Sequence, residues 1–385
     1  MKVGYFTHSD KIISETFIFD LIVGLDKVLN LTFFNGQKQN SINIIKSQIA
    51  LNYSNSSSKL PFILFKLGQI FGSNGYRLKG RFNEKHAYQS LNKKKINIDF
   101  AIVDYANTGV LLMNYFKNNN IPFIVNVHGF DITSELNDPY YKKRLLILFK
   151  LASNFIVASN HMRRLLVLLG CEPLKIKLVR YGISDIKLHS NHWISKLKTN
   201  PRLVFIGRLT EKKHPLALVH AFNIVNQKFS DATLDIIGDG QLKIEVINLI
   251  KKFGLENKIK MHGSLERKDA FKILRKSWIY VQHSVSSFKG DQEGYGISIS
   301  EAAMHELPIV STLHNGIPEQ VINNRTGFLV NEFDFENMAE KIIHLINNPK
   351  LMKQFGENGR INIKKINNVD LRINKINNLI GNLKL

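Results

Sequence analysis

Residues 290–301 read Gly-Asp-Gln-Glu-Gly-Tyr-Gly-Ile-Ser-Ile-Ser-Glu, and Pro-Ile-Val-Ser-Thr follows at 308–312. The glycines predict a loop whose backbone can approach a ligand, and the residues after them predict a helix that begins near Ser298. Loop amides and a helix N-terminus together favour phosphate. Glu293 on the loop and Glu301 on the helix can then bind different parts of one ligand, such as a nucleoside diphosphate joined to a hydroxyl-rich group.

Short apolar runs alternate with helical segments on both sides of this stretch. The runs that predict strands are 2–7, 99–104, 122–127, 154–158, 177–180, 202–206, 233–237, 258–261, 278–282, 308–311 and 327–330. The segments that predict helices are 109–116, 163–169, 215–229, 242–253, 270–275, 336–346 and one capped by Ser14. Such alternation predicts an α/β protein with parallel sheets covered on both faces.

A chain of 385 residues is long enough for two domains. The polar stretch 181–201 is predicted to be an irregular linker. We therefore predict two doubly wound Rossmann-like domains, 1–185 and 186–365, that face each other across a cleft. A C-terminal helical segment, 366–385, is expected to pack back on the first domain.

The formal net charge is +22. Nucleic acid, an anionic membrane surface and phosphorylated small molecules are the physical candidates for a partner. An abundance of Lys, Asn and Ile offers a second explanation, a coding bias that adds lysine throughout the chain. Both explanations stay open.

The single cysteine, Cys171, excludes an intramolecular disulfide and suits a reducing compartment. The first residues lack the features of a signal peptide, and no apolar run reaches the roughly 20 residues of a membrane span. These observations predict a cytoplasmic protein. Basic and aromatic residues interleave over 59–95, which fits either peripheral contact with the cytoplasmic face of an anionic inner membrane or a solvated helical face over an aromatic core.

Four motifs directly follow predicted strands. They are His128-Gly-Phe-Asp131, Gly207-Arg-Leu-Thr-Glu-Lys-Lys213, Gly238-Asp-Gly240 and the loop at Glu293. Ligands of doubly wound sheets bind outside the carboxyl ends of the strands, so these motifs predict one shared site.

Several segments resemble the large retaining glycosyltransferase family 4, which has the glycosyltransferase B fold of two Rossmann-like domains. Residues 293–301 resemble its E-x7-E motif, 207–213 its G-R-L-x-x-x-K segment and 128–131 its H-G-x-D. Residues 316–319 and 327–330 are similar to its closing motifs. The likeness extends over nearly all of the second half of the chain and much of the first.

A narrower likeness involves 14–18, 290–294 and 311–319, which resemble the bacterial branch that builds colanic acid, amylovoran and related exopolysaccharides or O-antigens. It implies a retaining hexosyltransferase that moves sugar from a UDP- or GDP-sugar to a lipid-linked oligosaccharide acceptor, in exopolysaccharide, capsule or O-antigen biosynthesis. The N-terminal domain would bind the acceptor and the C-terminal domain the nucleotide sugar.

The resemblance also implies the site residues. Catalytic roles fall to Glu293, His128, Arg208 and Lys213; the nucleotide sugar is bound by Arg208, Lys213, Gly238, Gly294, Tyr295, Gly296, Ile297 and Glu301; and candidate N-terminal loop contacts are Ser14, Glu15, Thr16 and Asp131. No Asp-x-Asp triplet and no Cys/His cluster with zinc spacing occurs in the sequence, so we expect no metal and no cofactor.

The chain departs from the family pattern at three places. His214 and Glu306 stand where glycine is usual, and the glycine pair often found after the first strand is missing between Thr7 and Ser14. The first two departures concern local packing, whereas the third leaves donor contacts from the N-terminal loop open.

Each site residue also has a purely structural interpretation. Glu293 could cap the next helix, Glu301 could be a surface acid, His128 a core histidine, and Arg208 and Lys213 exposed loop charges. Whole-protein alternatives are a nucleotide-sugar epimerase, a nucleic-acid-binding protein and an inactive relative. Since no nucleic-acid module is recognisable and the basic residues are spread over both halves, we expect no nucleic-acid partner.

Overall fold

The structure is a computed structural model that describes residues 1–8, 16–36, 47–51, 63, 66, 74–189 and 192–383. The chain divides into two compact units. Unit 1 comprises Met1–Gly182 with Val369–Leu385, and unit 2 comprises Ile183–Asn368. The chain passes between the units three residues from each of the predicted boundaries at 185 and 365.

The described residues of unit 1 form a seven-stranded parallel sheet covered by helices. Its strands are β1 Lys2–Thr7, β2 Asn30–Asn35, β3 Gln48–Ala50, β4 Phe100–Asp104, β5 Phe123–Asn126, β6 Asn154–Val157 and β7 Ile176–Leu178, in the spatial order β3-β2-β1-β4-β5-β6-β7. Its helices are α1 Thr16–Asp26, α2 Asn74–Lys93, α3 Ala106–Asn118, α4 Pro139–Leu151 and α5 Asn160–Leu168, together with the C-terminal helix given below. The strand order reverses between β1 and β4, as in a doubly wound domain.

Where the structure describes unit 2, its strands form a six-stranded parallel sheet of the same class. Its strands are β8 Arg202–Ile206, β9 Thr233–Ile237, β10 Ile259–Gly263, β11 Ile279–Gln282, β12 Ile309–Thr312 and β13 Gly327–Val330, in the order β10-β9-β8-β11-β12-β13. Its helices are α6 His192–Leu197, α7 Pro215–Lys228, α8 Lys243–Lys252, α9 Arg267–Lys276, α10 Ile297–Met304, α11 Phe335–Asn347 and α12 Pro349–Ile366. The two predicted doubly wound domains are therefore confirmed.

The prediction of an irregular linker at 181–201 is wrong in part, because α6 lies within it. Trp193 on this helix is buried, and its indole Nε1 donates to Glu306 at 3.3 Å. The carbonyl of Lys196 accepts a hydrogen bond from the Trp278 indole at 3.1 Å. The polar residues around α6 predict a linker. The helix is stabilised by contacts with Glu306 and Trp278, which are distant in the sequence.

The C-terminal helix, α13 (Val369–Asn382), packs on α1 within unit 1. Gly24 of α1 leaves room for Ile373, because a β-carbon at Gly24 would lie 2.3 Å from the Ile373 Cδ1. The buried guanidinium of Arg372 donates to the Phe17 carbonyl at 2.7 Å. Among the helices in the described part of the chain, none is both long and apolar enough to cross a membrane.

Two glycines of unit 1 give a test of this packing. A β-carbon at Gly182 would lie 2.5 Å from the backbone Cα of Val369, whereas one at Gly381 would meet no atom within 4 Å. We expect Gly182→Ala to lower the free energy of unfolding by about 2 kcal/mol. Gly381→Ala should raise it by about 0.5 kcal/mol, because alanine favours the helix. Urea unfolding of both variants checks this, and equal effects would contradict the packing at Gly182.

Candidate active site

Helix α10 begins at the end of the glycine-rich loop, one residue before the predicted start at Ser298. Gly296 precedes it with φ of 86°, a left-handed conformation that favours glycine. The Tyr280 hydroxyl on β11 lies 2.8 Å from the Ser298 hydroxyl oxygen and donates to the Ile206 carbonyl at 3.1 Å. The N-terminus of α10 is thereby held at the carboxyl ends of β8 and β11, where the strand order of unit 2 reverses.

A buried ion pair joins the loops that follow these two strands. Lys213 Nζ lies 2.5 Å from Glu293 Oε2, and both side chains are largely shielded from solvent. Burial raises the pKa of Glu293, but the charges of Lys213 and Lys212 outweigh burial and lower it to about 2. The Glu293 side chain is therefore a carboxylate at neutral pH, and it is held at the reversal point of the sheet.

Lys212, for which the sequence predicts no role, holds the same loop. Its Nζ lies 3.0 Å from Asp291 Oδ1 and 3.4 Å from the Gln292 carbonyl. Its own carbonyl accepts from the Val285 amide at 2.9 Å. Both lysines of the 207–213 motif thus connect the segment after β8 to the glycine-rich loop. Their adjacency in the sequence was the one feature that could have indicated a role for Lys212.

His314 fixes the backbone of Glu293. The His314 Nε2 accepts from the Glu293 amide at 3.2 Å, so its Nδ1 carries the proton and donates to Glu332 at 2.6 Å. Burial raises the pKa of Glu332, but the hydrogen bonds from His314 and the Ser286 amide and the charges of His314 and His283 together lower it below its usual value. His314 lies within the 311–319 segment, but no motif predicted a role for it or for Glu332, because their roles depend on a contact between separate loops.

Glu301 lies on the second turn of α10, and its side chain is largely buried. Its Oε1 is 3.0 Å from the Nε of Arg267, at the start of α9. The guanidinium of Arg267 in turn lies over the ring of Phe271, 5.2 Å from its centroid. Glu301 is thus a positioned, ion-paired carboxylate rather than a freely solvated surface acid; Arg267 was not foreseen.

Arg208 and Gly238 occupy the ends of β8 and β9. Burial is the largest cause that lowers the pKa of Lys213. The exposed Arg208 lies close enough for its positive charge to lower that pKa further. A β-carbon at Gly238 would lie only 1.9 Å from the Gly207 carbonyl oxygen, and its φ is 140°. Gly238 is therefore required for close backbone approach, independently of any ligand.

Gly294 and Tyr295 are set by their neighbours in unit 2. A β-carbon at Gly316 would lie 2.2 Å from the Gly294 carbonyl oxygen, which explains the glycine that opens the 316–319 motif. The Tyr295 hydroxyl donates to Asn367 at 2.5 Å, and its carbonyl accepts from Gln320. These contacts hold the backbone of the loop at Gly294 and Tyr295 in one position.

In unit 1, His128 belongs to a buried polar network at the ends of β4 and β5. Its Nδ1 lies 2.8 Å from the Tyr181 hydroxyl and its Nε2 lies 3.1 Å from Asp104. Asp104 also accepts from the Tyr5 hydroxyl at 2.5 Å and from Asn126 at 2.9 Å. Both ring nitrogens of His128 have protein partners, so a ligand contact through either nitrogen would replace one of them.

Asp131 organises the loop that carries His128. Its fully buried carboxylate accepts from the amides of Ala106 at 2.8 Å, His128 at 3.0 Å and Gly129 at 2.9 Å. Of the other candidate N-terminal contacts, Ser14 and Glu15 lie outside the described residues. Thr16 begins α1, and only its backbone is described.

The two departures from the family glycines keep a left-handed backbone. His214 has φ of 39° and Glu306 has φ of 57°. His214 caps α7 by accepting from the Ala217 amide at 3.2 Å. Glu306 lies 3.0 Å from the His192 Nε2. Both side chains therefore make contacts that glycine could not, and these contacts offset a backbone cost of about 1 kcal/mol each.

Among the residues that the structure describes, no three His, Cys, Asp or Glu side chains form a group that could hold a metal ion. Lysine and arginine side chains supply positive charge beside the glycine-rich loop. Lys213, Lys212 and Arg208 all belong to one segment after β8.

The ion pair can be tested by removing one partner. We expect Lys213→Met to lower the free energy of unfolding by about 3 kcal/mol, because Glu293 would stay buried without its partner. The native pKa of about 2, against an ordinary 4.5, means that ionised Glu293 stabilises the fold above pH 4.5 and that this is lost as the pH falls toward 2. In the variant Lys213 no longer opposes the effect of burial, so the pKa of Glu293 should rise and acidification below pH 4.5 should cost less stability than in the parent.

Urea unfolding over a series of pH values measures both effects. The matched control is Lys268→Met, since Lys268 pairs with Glu266 in full solvent exposure. The double variant Lys213→Met/Glu293→Gln should recover most of the lost stability. A cost for Lys213→Met no larger than that of the control would contradict a buried ion pair.

Residues 190–362 match the model of the family described as glycosyl transferases group 1, which is just under half of the chain. An amylovoran biosynthesis glycosyltransferase of Erwinia amylovora is 28% identical over 67% of this chain and 64% of that protein. That alignment spans slightly less than two thirds of the relative. A colanic acid biosynthesis glycosyltransferase of Escherichia coli K12 is 24% identical over 89% of this chain and 90% of that protein.

A similar fold occurs in the crystal structure of Anabaena HepE in complex with UDP and glucose. The TM-score is 0.78 at 18% identity, over 99% of each chain. At this identity the likeness shows the fold, which is the predicted glycosyltransferase B fold. Residues 190–362, which carry Lys213, Glu293 and Glu301, therefore match the group 1 glycosyl transferases, and the whole chain has the glycosyltransferase B fold.

Proposed function

We propose that this protein is a retaining glycosyltransferase that uses a nucleotide-diphosphate sugar in the assembly of a bacterial exopolysaccharide, capsule or O-antigen. The Lys213–Glu293 pair carries the proposal, because it places a carboxylate and a cation together beside the N-terminus of α10. The group 1 match over this segment and the amylovoran and colanic acid relatives support it. UDP in the HepE structure supports a UDP-sugar, with a GDP-sugar as the alternative.

Each site residue has a defined part in this chemistry. Arg208 and Lys213 would bind the diphosphate and neutralise the charge that grows on it as the glycosidic bond breaks. The amides of Tyr295, Gly296 and Ile297 would bind the same phosphates at the start of α10. Glu301, an ion-paired carboxylate, would accept from the ribose hydroxyls.

Glu293 would hydrogen-bond the donor sugar near the reacting carbon, and His128 would contact sugar or phosphate from unit 1. No step needs a covalent enzyme intermediate. The acceptor oxygen would attack the face that the diphosphate leaves, and its proton would pass to an oxygen of the departing phosphate. The sugar would keep its configuration, and the acceptor would be a lipid-linked oligosaccharide met at the cytoplasmic face of the inner membrane.

Nucleotide binding gives the first test. A ligand that binds only the folded state raises stability by about 2.7 kcal/mol at a concentration of one hundred times its Kd, so thermal shifts with UDP, GDP and their sugars identify the base. We expect Arg208→Ala and Glu301→Gln each to weaken binding about tenfold, because each removes a charge-assisted hydrogen bond. Lys268→Ala, which removes an exposed cation on α9, should bind like the parent. Parental affinity in both site variants would remove their assigned roles.

A transfer assay with the donor so identified tests the chemistry. The protein should transfer sugar at the same rate after treatment with EDTA, because its lysine and arginine side chains supply the positive charge. The product should have the anomeric configuration of the donor, read from its NMR coupling constants. Loss of activity that divalent ions restore, or inversion at the anomeric carbon, would contradict this mechanism. Conversion of the donor sugar without an acceptor would favour an epimerase.

A further inference from the structure

Helices α4 and α5 of unit 1 carry the same surface pattern. In each helix two adjacent cations precede two adjacent aliphatic residues by one turn, so the four side chains share one face. The members are Lys142, Lys143, Leu146 and Ile147 on α4, and Arg163, Arg164, Val167 and Leu168 on α5. All eight are exposed. A soluble helix ordinarily presents polar groups at its exposed positions, so the repeated aliphatic pairs need an explanation.

The aliphatic side chains of this pattern are largely exposed to solvent. Their exposed fractions are 48% for Leu146, 40% for Ile147, 40% for Val167, 82% for Leu168 and 76% for Leu174, which lies in the turn after α5. Single exposed aliphatic residues are common, whereas five on neighbouring elements form a patch. These five residues with Lys142, Lys143, Lys150, Arg163 and Arg164 are named the α4–α5 surface.

Two observations show that the α4 and α5 parts of the α4–α5 surface lie next to each other. A β-carbon on Gly170, just after α5, would lie 3.7 Å from the Leu146 side chain. Lys175 donates to the carbonyls of Phe149, Lys150 and Ala152 at 2.9–3.0 Å, which fastens the turn that carries Leu174 to the end of α4. Since α4 and α5 connect the adjacent parallel strands β5, β6 and β7, right-handed crossovers place both helices on one face of the sheet.

The charge of this surface is strongly positive. Between residues 139 and 175 there are seven Lys or Arg and one acid, Glu172. Arg144 pairs with Glu84 at 2.6 Å, and Lys175 binds the carbonyls at the end of α4. The other five cations are exposed beside the aliphatic residues. In unit 2, by contrast, the exposed Ile244 of α8 lies between one cation, Lys243, and one acid, Glu245.

We infer that the α4–α5 surface docks unit 1 on an anionic lipid membrane. The aliphatic side chains would enter the boundary of the acyl region, while the lysine and arginine side chains next to them reach the anionic headgroups. A protein partner would need acidic groups interleaved with apolar ones, whereas a lipid surface offers both everywhere. The inference uses only the exposure and charge of unit 1 and does not depend on the proposed transfer reaction. It differs from the predicted contact through 59–95, of which 59–62, 64–65 and 67–73 lie outside the described residues.

Co-sedimentation of the full chain with vesicles tests the inference. We expect the protein to bind vesicles of phosphatidylcholine mixed with phosphatidylglycerol and to bind pure phosphatidylcholine at least about tenfold more weakly. Leu168→Glu/Leu174→Glu should lose about tenfold or more in binding to the anionic vesicles, because it removes the most exposed apolar groups and adds repulsion. Arg163→Gln/Arg164→Gln should lose a similar factor on anionic vesicles only.

The matched control for the apolar change is Ile244→Glu, and that for the charge change is Lys251→Gln/Lys252→Gln, both on α8 of unit 2. Both controls should bind within about twofold of the parent. Since all substituted positions are exposed, unchanged circular dichroism and an unchanged midpoint of urea unfolding show that the variants fold. The inference is overturned if the parent does not bind the anionic vesicles, if the surface variants bind like the controls, or if Leu168→Glu/Leu174→Glu instead dissociates a dimer of the chain.

Discussion

The candidate site depends on one buried ion pair between residues far apart in the sequence. Lys213 follows β8 and Glu293 follows β11, and their contact closes the place where the strand order of unit 2 reverses. Because an unpaired charge there would cost several kcal/mol, each residue constrains the loop of the other. The pair thus does two things: it fixes the position of the glycine-rich loop, and it keeps Glu293 ionised by lowering its pKa to about 2.

The surrounding contacts hold the backbone that this pair needs. Lys212 binds the loop at Asp291, and His314 accepts from the Glu293 amide while Glu332 fixes its tautomer. Glycines act where backbones approach too closely for a side chain, as between Gly238 and the Gly207 carbonyl. Such a site is preorganised, with its charges already set before a ligand arrives. Phosphate binding by these cations would add new partners and need no refolding of the loop.

Much of the fold could be predicted from periodicity, because buried parallel strands are short apolar runs. The strand at Lys2–Thr7 and the one at Gly327–Val330 have the predicted bounds. The strand Gln48–Ala50 was missed because it is only three residues long and two of them, Ile49 and Ala50, are exposed, so it contains no buried apolar run. Helix α6 was missed because the burial of Trp193 depends on Glu306, more than a hundred residues away. Motif likeness singled out Glu293 and Lys213, but their pairing and the partners Arg267 and His314 depend on the fold, which single-sequence patterns do not contain.

A crystal structure of the protein with UDP tests the central claim most directly, because it places the diphosphate relative to the ion pair. We expect the diphosphate oxygens within hydrogen-bonding distance of Lys213 Nζ and the Arg208 guanidinium, with the ribose hydroxyls on the carboxylate of Glu301. Lys213 should still contact Glu293 in that complex. A UDP molecule bound with its diphosphate away from both cations, or with the ribose away from Glu301, would contradict the account.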